Sequence, residues 1–448
     1  VPEFRRRRDD GGGRRQAQGR LTRIQVMDTI FALSSGAPPA GIAVIRVSGP
    51  HAGLALTTLA GGLPPPRRAT ARLLRDLAGG ELDHALVLWL PGPGTATGED
   101  VVELHLHGGR AVVAAVERAL AALGGLRRAG SGEFTRRAFA NGRIDLAEAE
   151  GLADLLTAET ELQRRSAMAM AGGALSGLVE QWRQQVLALS AQVEAVLDFS
   201  DEDDVAPLGP DFARIIGGLR EAIGGWLAQP RAEMLREGFR VVLAGPPNAG
   251  KSSLFNVIIE ADAAITAPIA GTTRDVLERS VALEGVPFTF VDTAGLHQGG
   301  EDIVELIGIE RARKQLEQAD LVLWLGPEGE GPDQAWEIDT KCDLSATKRS
   351  PRHRVSAMTG EGVTRLRSAL VEAAAARMPK PGAVALNVRQ HRLLAEAHAA
   401  LQALDTGDDL LVIAEHLRVA MRAFDRLVGR SSTEDMLDTL FGRFCIGK

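Results

Sequence analysis

The residues best suited to chemistry are Gly245-Pro246-Pro247-Asn248-Ala249-Gly250-Lys251-Ser252. They follow an apolar run, Phe239-Arg240-Val241-Val242-Leu243-Ala244, and precede Ser253-Leu254-Phe255-Asn256-Val257-Ile258, which reads as a helix start. Strand, G-x-x-x-x-G-K-S, then helix is the context of a phosphate-binding P-loop. Phosphate oxygens need a ring of backbone N–H donors, and glycines let the chain wrap that closely. Lys251 then neutralises the β- and γ-phosphates, Ser252 holds Mg²⁺, and the helix N-terminus adds partial positive charge. A glycine-rich turn alone would be only a turn; Lys-Ser at this spacing, with these flanks, makes it a site.

The other parts expected of a GTPase lie downstream. Gly271-Thr272-Thr273-Arg274-Asp275 falls in a loop that puts Thr273 at the second Mg²⁺ position. The strand-like Val286 to Val291 runs into Asp292-Thr293-Ala294-Gly295. There the aspartate holds the Mg²⁺ shell and the glycine N–H senses the γ-phosphate. Guanine is read by Thr340-Lys341-Cys342-Asp343 and Ser356-Ala357. Asp343 accepts from the two N–H groups on guanine's pyrimidine edge, and the Lys341 stem covers the base. Thr340 stands where Asn is usual, which weakens the expected grip on guanine. Between Leu321-Val322-Leu323-Trp324-Leu325 and Thr340 there is little room for a helical crossover plus a strand, so this sheet edge should be abbreviated. Leu296 occupies the place of the glutamine that often positions water, so hydrolysis needs a substitute charge and a substitute water-holder.

The elements that must carry these residues are bounded by composition. At 448 residues, 45% hydrophobic and 24% charged, the chain is long enough for two to four soluble domains. No apolar run approaches the roughly 20 residues of a membrane span. The net charge of -7 excludes a surface that binds nucleic acid everywhere; any such contact is local or shared with a partner. Two cysteines, Cys342 and Cys445, exclude a disulfide framework and point to a reducing compartment.

In chain order, residues 1–26 carry eight arginines and read as a disordered extension. Residues 27–144 read as an α+β domain, with strands at 41–47, 86–90 and 101–107 and a helix at 111–123. Residues 145–237 turn helical, with Leu178, Trp182, Val186, Leu189, Val193 and Val196 forming one apolar stripe. Asp201-Glu202-Asp203-Asp204 reads as a solvated turn. Residues 238–379 are the nucleotide domain, and 380–448 are helical again, with stripes on Leu393 to Leu404 and on Leu410 to Phe424. The expected fold is multidomain α/β, with a Ras-like P-loop domain inserted into a discontinuous helical bundle.

Away from the nucleotide motifs stand Thr97-Gly98-Glu99-Asp100-Val101-Val102-Glu103-Leu104, Gly132-Glu133-Phe134-Thr135-Arg136-Arg137-Ala138-Phe139, Asn141 to Glu150, and the terminal Cys445-Ile446-Gly447-Lys448. With the P-loop they make the sequence resemble the MnmE (TrmE) family of tRNA-modification GTPases, over all but the Arg-rich start. The resemblance implies that the first domain binds 5,10-methylene- or 5-formyl-tetrahydrofolate through Arg46, Glu103, Arg143 and Lys448, and that it dimerises. It implies an FAD protein of the MnmG/GidA type as partner in a heterotetramer, and tRNA as substrate. The group added would be aminomethyl or carboxymethylaminomethyl, on C5 of the wobble uridine. It also implies K⁺ dependence, with ligands from Asn248, from main-chain oxygens at Ala267 and Ile269, and from Thr272. Ala267 stands where the family commonly has Thr, and Arg143 where it more often has Lys. Glu305 matches the residue that orients water, and Cys445 takes part in the modification chemistry. A bacterial cytoplasm is the expected location rather than a mitochondrion.

Two rival classes fit parts of the chain. A ribosome-assembly switch would share the nucleotide motifs but calls for an appended basic RNA-binding module. A folate one-carbon transferase with a degenerate nucleotide domain would account for Thr340 and the short crossover.

Overall fold

A computed structural model of the chain describes residues 28–198, 208–260, 278–292, 313–380, 382–405, 407, 409–431 and 433–447. The chain divides into two compact units, one formed by residues up to 153 together with 425 onward, the other by residues 154–424.

The first unit opens with β1 (Thr29–Leu33), β2 (Ile42–Ser48), α1 (Ala52–Ala60), β3 (Thr70–Arg75), β4 (Glu81–Leu90) and β5 (Val101–His107). There follow α2 (Arg110–Ala121), β6 (Leu126–Arg128), α3 (Glu133–Ala140) and α4 (Leu146–Thr157). The sheet runs β3-β4-β5-β2-β1-β6, antiparallel except where β6 joins β1. Period-two alternation decides its faces. Ala43, Ile45 and Val47 of β2, with Val102, Leu104 and Leu106 of β5, pack against α1 and α2 through Leu56, Leu59, Val116 and Leu120. Arg46 and Glu103 lie on the other face, directly opposite each other in register. On that face Ile30 and Ala32 of β1 form a small cluster with Ala129 and Phe134.

The second unit supplies α5 (Glu161–Ala171), α6 (Ala174–Asp198), α7 (Pro210–Leu227), α8 (Glu233–Glu237), β7 (Phe239–Ala244) and α9 (Lys251–Glu260). It continues with β8 (Glu278–Leu283), β9 (Val286–Asp292), β10 (Leu321–Trp324), β11 (Trp336–Thr340), β12 (His353–Val355) and α10 (Val363–Ala375). After α11 (Val388–Gln402) and α12 (Leu410–Leu427), the chain returns to the first unit for α13 (Glu434–Phe441). Thr160 and Gln163 close a capping box before α5, and Asn387 and Gln390 close another before α11. Each box satisfies N–H groups that a helix start leaves without partners.

The helical core stripe on α6 is Leu175, Val179, Trp182, Val186, Leu189 and Val193, so it starts earlier than the expected Leu178 and stops before Val196. Trp182 sits edge-on to Trp226 at 6.5 Å and tilted against Phe424 at 6.2 Å. The second sheet runs β12-β11-β10-β7-β9-β8, parallel except for β8 against β9. Central β7 is buried on both faces from Val241 to Ala244, which is why its sequence is apolar there, with only Arg240 polar. The expected abbreviation of this sheet is present: residues 325–335 link β10 to β11 without a helix, yet β11 still forms as a parallel strand. No helix among the described residues is long and apolar enough to cross a membrane.

Phe424 is fully buried against Trp182. Replacing it with Ala should lower the unfolding free energy by about 3–5 kcal/mol. Denaturant titration followed by tryptophan fluorescence reads this, and a loss under about 1 kcal/mol would show that the aromatic cluster does not hold the helices.

Candidate functional site

The P-loop leaves the carboxyl end of β7, with β10 and β9 as its parallel neighbours. This is the end of a parallel sheet at which ligands bind. Gly245 has φ +148, and a Cβ there would meet Gly326 N at 2.9 Å and the Leu325 carbonyl carbon at 3.1 Å. Only glycine fits so close an approach. Asn248 adopts the left-handed region, φ 61, with its side chain exposed at the loop's crest. Lys251 is 4% exposed, and its Nζ donates to Gly245 O at 2.7 Å and Pro246 O at 2.8 Å. An ammonium has three protons, so one remains for a phosphate oxygen. Burial pushes the Lys251 pKa down, opposed by the charge of Asp292.

Asp292 ends β9 in register with Leu243 of β7, which brings its carboxylate beside the loop. Ser252 Oγ donates to Asp292 Oδ2 at 2.6 Å. A hydroxyl and a carboxylate oxygen in contact are the hard donors that Mg²⁺ takes. The first N–H groups of α9 have no partner within the helix and face the loop. Ser253, the next residue, is exposed.

The base-reading residues join the loop from the other side. Thr340 Oγ1 donates to Ala249 O at 2.8 Å, and Lys341 Nζ donates to Asn248 O at 3.0 Å. Cys342 N donates to Val355 O at 3.4 Å, which places Asp343, exposed, beside the strand that leads to buried Ser356 and half-buried Ala357. The tie from Thr340 to the P-loop is one contact that sequence reasoning missed. Ala267, Ile269, Thr272, Thr273, Thr293, Ala294, Gly295, Glu305 and Lys448 lie outside the described residues.

The first unit holds a second group. Arg46 donates Nε and Nη2 to Glu103 Oε1 at 3.1 and 2.9 Å, and lies over the Phe134 ring at 5.8 Å. His105 Nε2 lies 3.4 Å from Glu103 Oε2. Ser34, just past β1, donates to Gly447 O at 2.9 Å, and Ile446 bridges to Ser131. The tail carrying the exposed Cys445 thiol is thereby fastened near the strand that pairs with Arg46. Arg143 is exposed on the segment after α3. Carboxylate and guanidinium groups on one sheet face suit a pterin edge and an anionic tail.

Comparison with known proteins decides the family. The model of the MnmE helical domain matches residues 146–445, and that of the GTP-binding protein TrmE N-terminus matches residues 29–143. The chain belongs to the MnmE family. A relative from Erythrobacter litoralis, described as tRNA modification GTPase MnmE, is 64% identical over 94% of this chain and 100% of its own. An MnmE from Novosphingobium aromaticivorans is 61% identical over the same shares. Among solved structures, the FeoB G-domain from Methanococcus jannaschii covers 31% of this chain and 98% of its own, at 21% identity and a TM-score of 0.23, too low to bear on fold or function.

For this MnmE family member, the Thr340 tie should be measurable. Thr340→Val removes one hydrogen bond between the base strand and the P-loop, so affinity for a fluorescent guanine nucleotide should fall roughly threefold to tenfold. An unchanged dissociation constant would show that Thr340 does not support the loop.

Proposed function

We propose that this chain hydrolyses GTP at its P-loop and couples that reaction to modification of tRNA. The observation that carries the reading is the Lys251, Ser252 and Asp292 cluster at the end of the parallel sheet, in a chain whose relatives are named tRNA modification GTPases. Asn248, Ala249, Gly250, Lys251, Ser252 and Ser253 cradle the phosphates, and Lys341, Asp343, Ser356 and Ala357 read guanine. Ser252 and Thr273 would hold Mg²⁺, which neutralises charge on the β- and γ-phosphates. Asn248, Ala267, Ile269 and Thr272 would hold K⁺, supplying positive charge in the role of an arginine finger. Glu305 positions water in place of the glutamine absent at Leu296.

In the first unit Arg46, Glu103, Arg143 and Lys448 would bind a tetrahydrofolate, which carries a one-carbon unit. Cys445 acts beside it in the base chemistry. We assign residues 27–144 to the folate domain, 145–237 and 380–448 to a helical domain, and 238–379 to the inserted GTPase domain. The working form is a homodimer in the bacterial cytoplasm, associated with an FAD protein of the MnmG/GidA type and acting on the wobble uridine. The intact Lys251–Ser252–Asp292 geometry speaks against a decayed nucleotide domain.

Lys251→Ala should abolish GTP hydrolysis, lowering kcat by more than about a hundredfold. Nucleoside analysis of bulk tRNA from a deletion strain should show the wobble modification restored by the native chain and not by this variant. Restoration by Lys251→Ala would separate the GTPase from the modification. Replacing K⁺ with Na⁺ in the hydrolysis assay should slow turnover strongly, and equal rates in the two salts would remove the monovalent ion from the mechanism.

A further inference from the structure

The motifs Thr97-Gly98-Glu99-Asp100 and Thr135-Arg136-Arg137 have no role in the proposal above, yet they form a buried network. Arg137 of α3 has a side chain only 6% exposed. Its Nη1 donates to Asp28 O at 3.1 Å and to the two Glu99 carboxylate oxygens at 3.3 and 3.2 Å. Its Nη2 donates to Asp28 Oδ1 at 2.9 Å and Glu133 Oε1 at 3.1 Å. Glu99 Oε2 also accepts from Ser48 Oγ at 2.7 Å, and Ser48 Oγ lies 2.7 Å from Thr97 Oγ1. Ser48 and Thr97 are both buried. On the outer side, Asn141 Nδ2 donates to Thr97 O at 2.7 Å.

The turn at residues 97–99 is therefore fastened by β2, by α3 and by Asn141. Gly98, at its centre, has φ +81. A Cβ added there would lie 3.0 Å from Asn141 Cβ and 3.3 Å from both Cγ and Cδ of Arg143. The Gly98 backbone thus makes a wall against which the Arg143 stem lies. A long exposed arginine otherwise samples many rotamers, and its fork recognises an anion only when it is aimed.

Resting on the folate reading of the first unit, we propose that Gly98, Glu99 and Arg137 are positioning residues. The buried Arg137–Glu99 pair fixes the turn, and the turn aims the Arg143 guanidinium at the folate. The glycine is required because a side chain would displace that stem. Arg137 acts through Glu99 and Gly98, and touches no ligand itself.

The test is a double-mutant cycle on the full chain, with 5-formyl-tetrahydrofolate as probe and calorimetry as readout. Arg143→Ala should weaken binding roughly ten- to hundredfold. Gly98→Ala should weaken it roughly threefold to thirtyfold in the native background, and by less than about twofold once Arg143 is Ala. Should Gly98→Ala not fold, Asn141→Ala, which releases the turn at an exposed position, carries the same cycle. Equal losses in both backgrounds would mean that the turn acts on its own, and no loss in either would mean that it aims nothing; both overturn the proposal. If Arg143→Ala binds as tightly as the native chain, it is the folate assignment of Arg143 that fails.

Discussion

A loop that turns its N–H groups inward to a ligand must turn carbonyls outward, and those carbonyls need donors of their own. The nucleotide site is built around that constraint. Gly245 and Pro246 give their carbonyls to Lys251, Asn248 gives its carbonyl to Lys341, and Ala249 gives its carbonyl to Thr340. Each donor is itself a residue of the nucleotide motifs. The P-loop, the base-reading strand and the phosphate lysine therefore hold one another in place, and a change at any of them is felt at the others.

The first unit meets a related demand with charge. Arg137 is withdrawn from solvent and surrounded by Asp28, Glu99 and Glu133, so its cost of burial is offset by carboxylates that reach it from three separate segments. Burial would raise the Glu133 carboxyl, but Arg127, the Gly130 N–H and Arg137 together hold it down at about 2. The neighbouring Arg127 guanidinium is raised in turn by the hydrogen bond to Glu133. Glu133 and Arg127 stay ionised through the neutral range, and Arg137, Asp28 and Glu99 join them to fasten the start of β1, the 97–99 turn and α3 to one another.

Much of this could be read from residue order, and the exceptions have physical causes. Strand β5 matches its expected span because Val102, Leu104 and Leu106 alternate with Glu103 and His105, and β7 matches because a doubly buried strand is apolar at every position but Arg240. The core stripe on α6 was displaced because Leu175 and Val179 lie at the centre of the face that carries Trp182, while Leu178 and Val196 lie at its edge and are only half-buried. Strand β3 gave no signal: it sits at the sheet edge, and only Leu74 is buried. The Arg137–Glu99 contact was illegible for a different reason. Its partners are 38 residues apart, and no local spacing links a charge on a helix to one in a distant turn.

The abbreviated edge of the second sheet shows what replaces a missing crossover helix. Strand β11 must be held firmly, since Thr340 and Lys341 at its end support the P-loop. Lys348, 4% exposed, reaches from the following loop to Trp324 O of β10 at 2.9 Å and to Glu337 of β11. Arg352 lies over the Trp336 ring at 4.2 Å, and the fully buried Asp339 accepts from Thr347 N at 3.2 Å and from Thr347 Oγ1 at 2.5 Å. In β11 Trp336 and Ile338 alternate with Glu337 and Asp339, yet Asp339 is buried as fully as Ile338. The same carboxylate ties down residues 341–347, the loop that presents Asp343. A buried acid inside a strand is unfavourable unless it is paired, and here its pairing sets the position of the base-reading loop without a helix to cover it.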